Sequence, residues 1–139
     1  MTDGNDCERE ARIDADRDAL ESWERIAFQI IAAVGNARSC YIEAIHMARK
    51  GDFTAAHSLM EQGAASFSNG HTAHLSLIQR EASGVGCALG LIMAHAEDQL
   101  MSAETFGILA EEFIETYRMF GTDGRHGEAY VSGKETHTV

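Results

Sequence analysis

The chain has 139 residues, of which 45% are apolar and 24% charged, with no proline, 13 glycines and three cysteines. That length suffices for one packed domain, no window approaches the roughly 18 consecutive apolar residues of a membrane span, and the acidic amino end lacks the basic-then-apolar pattern of an export signal. Twenty-two acidic against 11 basic residues give a formal net charge of −11, a field that repels the phosphate backbone of DNA and RNA. Cys7, Cys40 and Cys87 are odd in number and far apart, with no CxxC spacing, so neither a disulfide framework nor a cysteine zinc site is suggested. The expectation is a cytoplasmic protein with reduced thiols, with Cys40 and Cys87 semi-buried, no nucleic-acid partner and no direct membrane insertion.

In chain order, residues 1–17 carry six acids and three bases with almost nothing to bury, which predicts a mobile acidic tail. Residues 18–121 split by periodicity into three long helical segments at glycine-marked turns, spanning about 18–50, 53–82 and 87–120. Asp18 with Glu21 resembles a helix-starting pair. From Trp23 through Ile30, Val34, Ala37, Tyr41 and Ala44 to Ala48 an apolar stripe keeps helical spacing, and Gly35-Asn36 is a place for a bend. In Lys50-Gly51-Asp52, glycine suits the left-handed residue after a helix end and Asp52 can cap the next helix. The second stripe reads Phe53, Ala56, Met60, Gly63, Phe67, His71, His74 and Ile78. Residues 122–139 hold few apolar side chains and are expected to be a second mobile tail. Three antiparallel helices of this length make an all-α up-down bundle.

The third helix has more to bury than its sisters need. Leu89, Ile92, Met93, Ala96, Leu100, Ala103, Gly107 and Ile114 form one apolar line for the chain's own core. Leu91, His95, Asp98, Ser102, Phe106, Leu109 and Phe113 form a second, at spacings of three and four, rotated by roughly 120°. Either both lines face the two sister helices, or the second packs against its own copies in a symmetric oligomer. Asp98 in such a seam must be hydrated, paired or bound to a cation. Gathered at an axis, copies of Asp98 would need protons or a hard cation such as Mg²⁺.

Seven histidines invite a metal reading. Glu43-Ala-Ile-His46 is one ExxH, but the helical di-iron pattern needs a second, which the chain lacks. His71 and His74, three apart, could clamp a metal or sit hydrogen-bonded in the bundle. His46 and His57 have no partner pattern, and His126 and His137 fall in the tail. His95 lies between small Ala94 and Ala96, with Asp98 and Gln99 one turn on, both able to reach its imidazole. Held in one tautomer, that ring is either a structural histidine or a nucleophile able to take a phosphoryl group on its free nitrogen.

The run Ala94-His95-Ala96-Glu97-Asp98-Gln99-Leu100-Met101 resembles the signature of the enzyme IIA proteins of the lactose/cellobiose/diacetylchitobiose branch of the bacterial phosphoenolpyruvate-dependent sugar phosphotransferase system. Gly35-Asn36-Ala37-Arg38-Ser39, Lys50-Gly51-Asp52-Phe53 with Ala55-Ala56, and Asn69-Gly70-His71 with Leu77-Ile78 match further blocks of that family in order. The resemblance implies a three-helix bundle that assembles as a homotrimer through its third helix. It implies His95 as the phosphorylated residue, with Gln99 and His71 supporting it, and Asp98 of three subunits sharing a divalent cation, with Mg²⁺ the expected ion. It implies that the phosphocarrier protein HPr donates to His95, which passes the group to a cysteine of a IIB component, serving uptake of a β-linked disaccharide (cellobiose, lactose or diacetylchitobiose) through the membrane component IIC. Many relatives have His where this chain has Gln99, so a second titrating group is absent there while a hydrogen-bonding role survives. Gly84, Gly86 and Gly90 make the entry to the third helix glycine-rich, so that helix is expected to start late. Two other readings stay in play: a non-catalytic interaction or regulatory bundle on the same scaffold, and a metal-carboxylate bundle using Glu43, His46 and His74.

Overall fold

The computed structural model describes residues 3–84, 86 and 90–121, with side chains from Glu8 onward. Helix α1 spans Asp3–Arg49, α2 Phe53–Ala82 and α3 Leu91–Gly121, an up-down-up order with no strand among the described residues. No helix among the described residues is long and apolar enough to cross a membrane.

The α2 boundaries agree with the expected 53–82, and the first turn is built as read. Gly51 takes a left-handed φ of 84°, Asp52 N–H donates to Met47 O at 3.0 Å, and Asp52 Oδ1 accepts from Ala55 N at 2.9 Å. These bonds satisfy carbonyls at the end of α1 and an amide at the start of α2.

Two boundaries differ from expectation. The first helix does not start near Asp18: residues 3–17, expected as a tail, continue α1 back to Asp3. Every side chain from Glu8 to Glu21 is exposed, so burial does not hold this stretch. Its proline-free Glu-Arg-Glu-Ala-Arg composition favours helix, and Arg17 reaches Asp14 one turn away at 3.0 Å. A polar stretch with no core to join carries no stripe that marks it as helix, yet a helix already nucleated at Trp23 extends through it at small cost per residue. The third helix starts at Leu91 rather than Cys87, with Gly90 O accepting from Met93 N and Ala94 N at 3.1 Å each. The side chains of Cys7, Cys87 and Leu89 and all of residues 122–139 lie outside the described residues. Cys40 is half-buried, as expected.

The core is a heptad seam. On α1, Trp23, Ala27, Ile30, Val34, Ala37, Tyr41, Ala44 and Ala48 are buried, alternating steps of four and three, the spacing that keeps a seam facing its partners. Met93, Ala96, Leu100, Ala103, Ala110 and Ile114 answer from α3. On α2 the buried positions are Ala56, Gly63, Gly70 and Leu77, seven apart, while His71 and Ile78, placed in the stripe from sequence, are exposed. The stripe read from sequence steps by four twice in succession, from Gly63 to Phe67 and from Phe67 to His71, and so drifts off a 3.5-residue repeat.

Small residues bring the backbones close. A Cβ on Gly63 would lie 2.5 Å from Tyr41 Cε1, one on Gly107 3.2 Å from the same ring, and one on Gly70 2.8 Å from Val34 Cγ1. Tyr41 therefore fills the space between α2 and α3 that the two glycines leave open. The expected bend at Gly35-Asn36 does not interrupt α1: Asn36 Nδ2 donates to Ser66 Oγ at 2.7 Å and Ser39 Oγ to Gly35 O at 3.0 Å. Arg80 lies 4.3 Å over the Trp23 ring and donates to Ser22 Oγ at 3.1 Å, tying the end of α2 to α1 by a cation–π contact and a hydrogen bond. Helix α1 packs along both sisters, which meet each other much less. Between α2 and α3 a groove of about 580 Å³ opens by Phe53, Met60, Glu61, Glu111 and Arg118, toward the end of α3 remote from His95.

Candidate functional site

His95 stands in the second turn of α3, exposed, with its chain neighbours Ala94 exposed and Ala96 buried in the core. The late helix start at Leu91 places it one turn inside the helix, on a rigid backbone. Among the described residues nothing hydrogen-bonds its ring, so the imidazole is open to a partner from solution. Sequence reasoning expected Asp98 and Gln99 to hold it, and the structure assigns both side chains otherwise. Gln99 Oε1 accepts from Arg38 Nη1 of α1 at 2.8 Å, in a half-buried position. Asp98 is exposed on the outer face of α3, with no ion pair to a described residue.

Four consecutive α3 residues thus face three ways. His95 and Asp98 look outward, Ala96 packs inward, and Glu97 turns to α2, where its Oε1 is 3.0 Å from His74 Nε2. With Nε2 engaged there, His74 Nδ1 is left as a buried atom with no partner among the described residues. His71 is not brought against His95: its ring stacks on Phe67 at 6.2 Å between centroids and tilts toward His74 at 6.3 Å. The two interhelical polar contacts that α3 makes beside His95, Arg38–Gln99 and His74–Glu97, are not legible in the sequence. The reading of His74 as hydrogen-bonded inside the bundle agrees with its half-buried place against Glu97, but its partner, like that of Arg38, has no spacing signal along the chain.

The metal-carboxylate reading loses its geometry. Glu43 Oε2 and His46 Nδ1 approach to 3.3 Å on the surface, while His74 is engaged by Glu97. Among the described residues no three His, Cys, Asp or Glu side chains converge on one point.

Of the two readings of the second α3 line, burial within the chain fails. Leu91, His95, Asp98, Leu109 and Phe113 are exposed and only Ser102 and Phe106 are half-buried, with Leu91 89% and Phe113 48% exposed. Met101 and Ile108 add to the open apolar surface beside this line.

Comparison with known proteins agrees with this geometry. The family model described as "PTS system, Lactose/Cellobiose specific IIA subunit" matches residues 25–118, from the third residue of the buried α1 stripe's first turn to near the end of α3. The lichenan-specific phosphotransferase enzyme IIA component of Bacillus subtilis is 42% identical over 97 residues, 70% of this chain and 88% of the relative. The lactose-specific EIIA component of Staphylococcus aureus is 35% identical over 98 residues, 70% of this chain and 95% of the relative. Among solved structures, the cellobiose-specific enzyme IIA of Bacillus anthracis superposes with a TM-score of 0.72 at 36% identity, covering 73% of this chain and 94% of that one. The IIA(Chitobiose) of a complex with HPr superposes with a TM-score of 0.64 at 27% identity, covering 71% of this chain and 96% of that one. With a family match over the second half of α1, all of α2 and nearly all of α3, the chain belongs to the lactose/cellobiose-specific IIA family and is a component of a sugar phosphotransferase system.

Proposed function

We propose that this protein carries a phosphoryl group on His95, taking it from phospho-HPr and passing it to a cysteine of a IIB component, in the cytoplasm, during uptake of a β-linked disaccharide through a IIC permease. The observation that carries the reading is the unencumbered, exposed imidazole at the second turn of α3, within the run that resembles the family's signature. In the first transfer a ring-nitrogen lone pair of His95 bonds to phosphorus as the bond to the donor breaks. In the second, a thiolate of IIB takes the group and the N–P bond breaks. Both steps need alignment and charge compensation more than tight binding. A nucleophile standing on the surface of a helix, with alanine on each side, lets two different partners approach in turn. The solved diacetylchitobiose IIA–HPr complex supports HPr as the donor.

The exposed second line of α3 supports a homotrimer built on that helix. Such packing would bring three Asp98 carboxylates near one axis, and the fit to a shared ion follows from donor chemistry. On this line each chain offers one exposed carboxylate, that of Asp98, and no site of three ligands forms within the described residues of one chain. Three copies would hold a divalent ion such as Mg²⁺, which would neutralise their repulsion.

The test is phosphoryl transfer from phosphoenolpyruvate through enzyme I and HPr to the purified protein, read by intact mass and peptide mapping. The expected result is one acid-labile, base-stable phosphoryl group per chain on His95, discharged by IIB. His95→Ala is expected to lose all acceptance while keeping its helical content and size. Acceptance retained in that variant would refute the assignment, and no acceptance by the natural chain would favour a non-catalytic partner role for the scaffold.

A further inference from the structure

We propose that residues 8–21 of α1 form an arm that pairs antiparallel with the same arm of a second copy of this chain. The residues that match the family begin at 25, and α1 continues back from there to Asp3. Arg80, two residues before the end of α2, lies over Trp23, and Met93, in the first turn of α3, shares a core cluster with it. The helix therefore outruns both sisters, by roughly 30 Å from Trp23 to Asp3, at the end of the bundle that carries His95. Along the arm every side chain from Glu8 to Glu21 is exposed.

The α1 seam does not stop where its partners do. Its alternating steps of three and four lead back from Trp23 to Leu20, Asp16, Ile13 and Arg9. Leu20 and Ile13 are 46% and 54% exposed, and the charged residues between them leave the seam too sparse to read as an apolar stripe. Where the charges fall decides what fits it. All three arginines, Arg9, Arg12 and Arg17, lie in the seam or on its flanks, with Glu10 and Asp16, whereas Glu8, Asp14, Asp18 and Glu21 point away from it. A parallel copy in register would set Asp16 against Asp16, Arg9 against Arg9 and Arg12 beside Arg17, all like charges. An antiparallel copy sets Ile13 level with Asp16 of the partner subunit, Glu10 beside Arg17 of the partner subunit, and Arg9 one layer from the partner's Asp16, each contact made twice by symmetry. Arg17 now reaches Asp14 on its own helix, an exposed bridge that holds it weakly. The arm is thus complementary to itself rather than to basic surfaces in general. In this register the two bundle ends stand roughly 25 Å apart, so pairing does not press one His95 end against the other. One arm offers only two apolar side chains, and a single pair is weak. Three arms rising from one end of the proposed trimer act together and close with a second trimer as a symmetric assembly of six chains. The strength of the pairing rests on that trimer, and its register does not.

Sedimentation of the full-length protein over a concentration series tests the pairing. The natural chain is expected to reach a mass of six chains, and Leu20→Asp to halve it. Glu10→Arg, which sets like charges against Arg17 of the partner subunit, is expected to halve it as well. Combining Glu10→Arg with Arg17→Glu is expected to restore the full mass. That rescue reads contact between copies, because the double exchange leaves the net charge and both apolar side chains as they were. A double exchange that stays at half mass would overturn the antiparallel register. A natural chain of three copies at every concentration would overturn the pairing, leave the trimer intact and give the seam of the arm to a different protein. A natural chain of one copy throughout would overturn the trimer and the pairing together. A mass of six chains that Leu20→Asp does not change would place the contact between trimers outside the arm.

Discussion

Helices α1 and α3 are written in the same heptad grammar and use it differently. On α1 every buried large side chain, from Trp23 to Tyr41, meets α2 or α3, and the helix beyond Trp23 toward Asp3 carries mostly charged and small side chains. On α3 the inner line from Met93 to Ile114 is buried, and a second apolar line containing Leu91, Leu109 and Phe113 stays open. The inner line of each helix completes the chain's own core, and the outer line of α3 leaves apolar surface on which a second chain could pack. The nucleophile candidate sits on the second line, so the surface that would assemble copies is continuous with the surface that would do chemistry.

The sharpest way to break this comparison is to charge the outer line. Phe113→Asp is expected to turn the proposed trimer into monomers, read by sedimentation, because burying an unpaired carboxylate there replaces an apolar gain of about 1.5–3 kcal/mol per chain by a desolvation cost of several. A trimer that survives would mean assembly uses another face, and α3 would then be no different from α1. Asp98→Leu is expected to act oppositely, keeping the trimer and raising its melting temperature. Replacing gathered buried charges by apolar side chains is often stabilising by about 1–4 kcal/mol. Dissociation of that variant would make Asp98 and its ion a requirement for assembly.

Much of this was legible in sequence because it follows from periodicity. The α2 boundaries, the Gly51-Asp52 turn and the inner line of α3 depend on neighbours within a few residues, and those the sequence displays. The start of α1 was not legible, since residues 3–17 form helix without burying anything, and a stripe cannot reveal a helix that lacks one. His95 was found through its run of small and polar neighbours, but Gln99's engagement with Arg38 joins positions 61 apart. Likewise, the drift of the α2 stripe onto His71 and Ile78 came from treating steps of three and four as interchangeable, when only their strict alternation keeps Gly63, Gly70 and Leu77 inward.

The inner seam can be tested separately from the outer. Gly63→Ala should destabilise the fold by about 1–3 kcal/mol, measured by urea unfolding, even though alanine favours helix by up to about 1 kcal/mol. The added methyl would stand 2.5 Å from the Tyr41 ring, and that ring cannot retreat, because Gly107 lies against its other edge. A neutral result would mean that the α2–α3 side yields easily and that α1's line is less tightly used than its burial indicates.

The smallest expected effect lies on Tyr41 itself. Burial pushes its phenol above the ordinary value of 10.0, and Glu111 and then Cys40 raise it further. An unfolded chain therefore releases this proton at a lower pH than the folded one, so the folded state binds more protons above about pH 10 and loses stability as pH climbs through that range. Below that, the Tyr41 contribution is fully present and flat. Tyr41→Phe should leave stability near neutrality almost unchanged, since no described residue hydrogen-bonds the phenol, and should reduce the alkaline fall. An alkaline fall of the same size in Tyr41→Phe would place its origin in other groups and leave the tyrosine as a space-filler between two glycines.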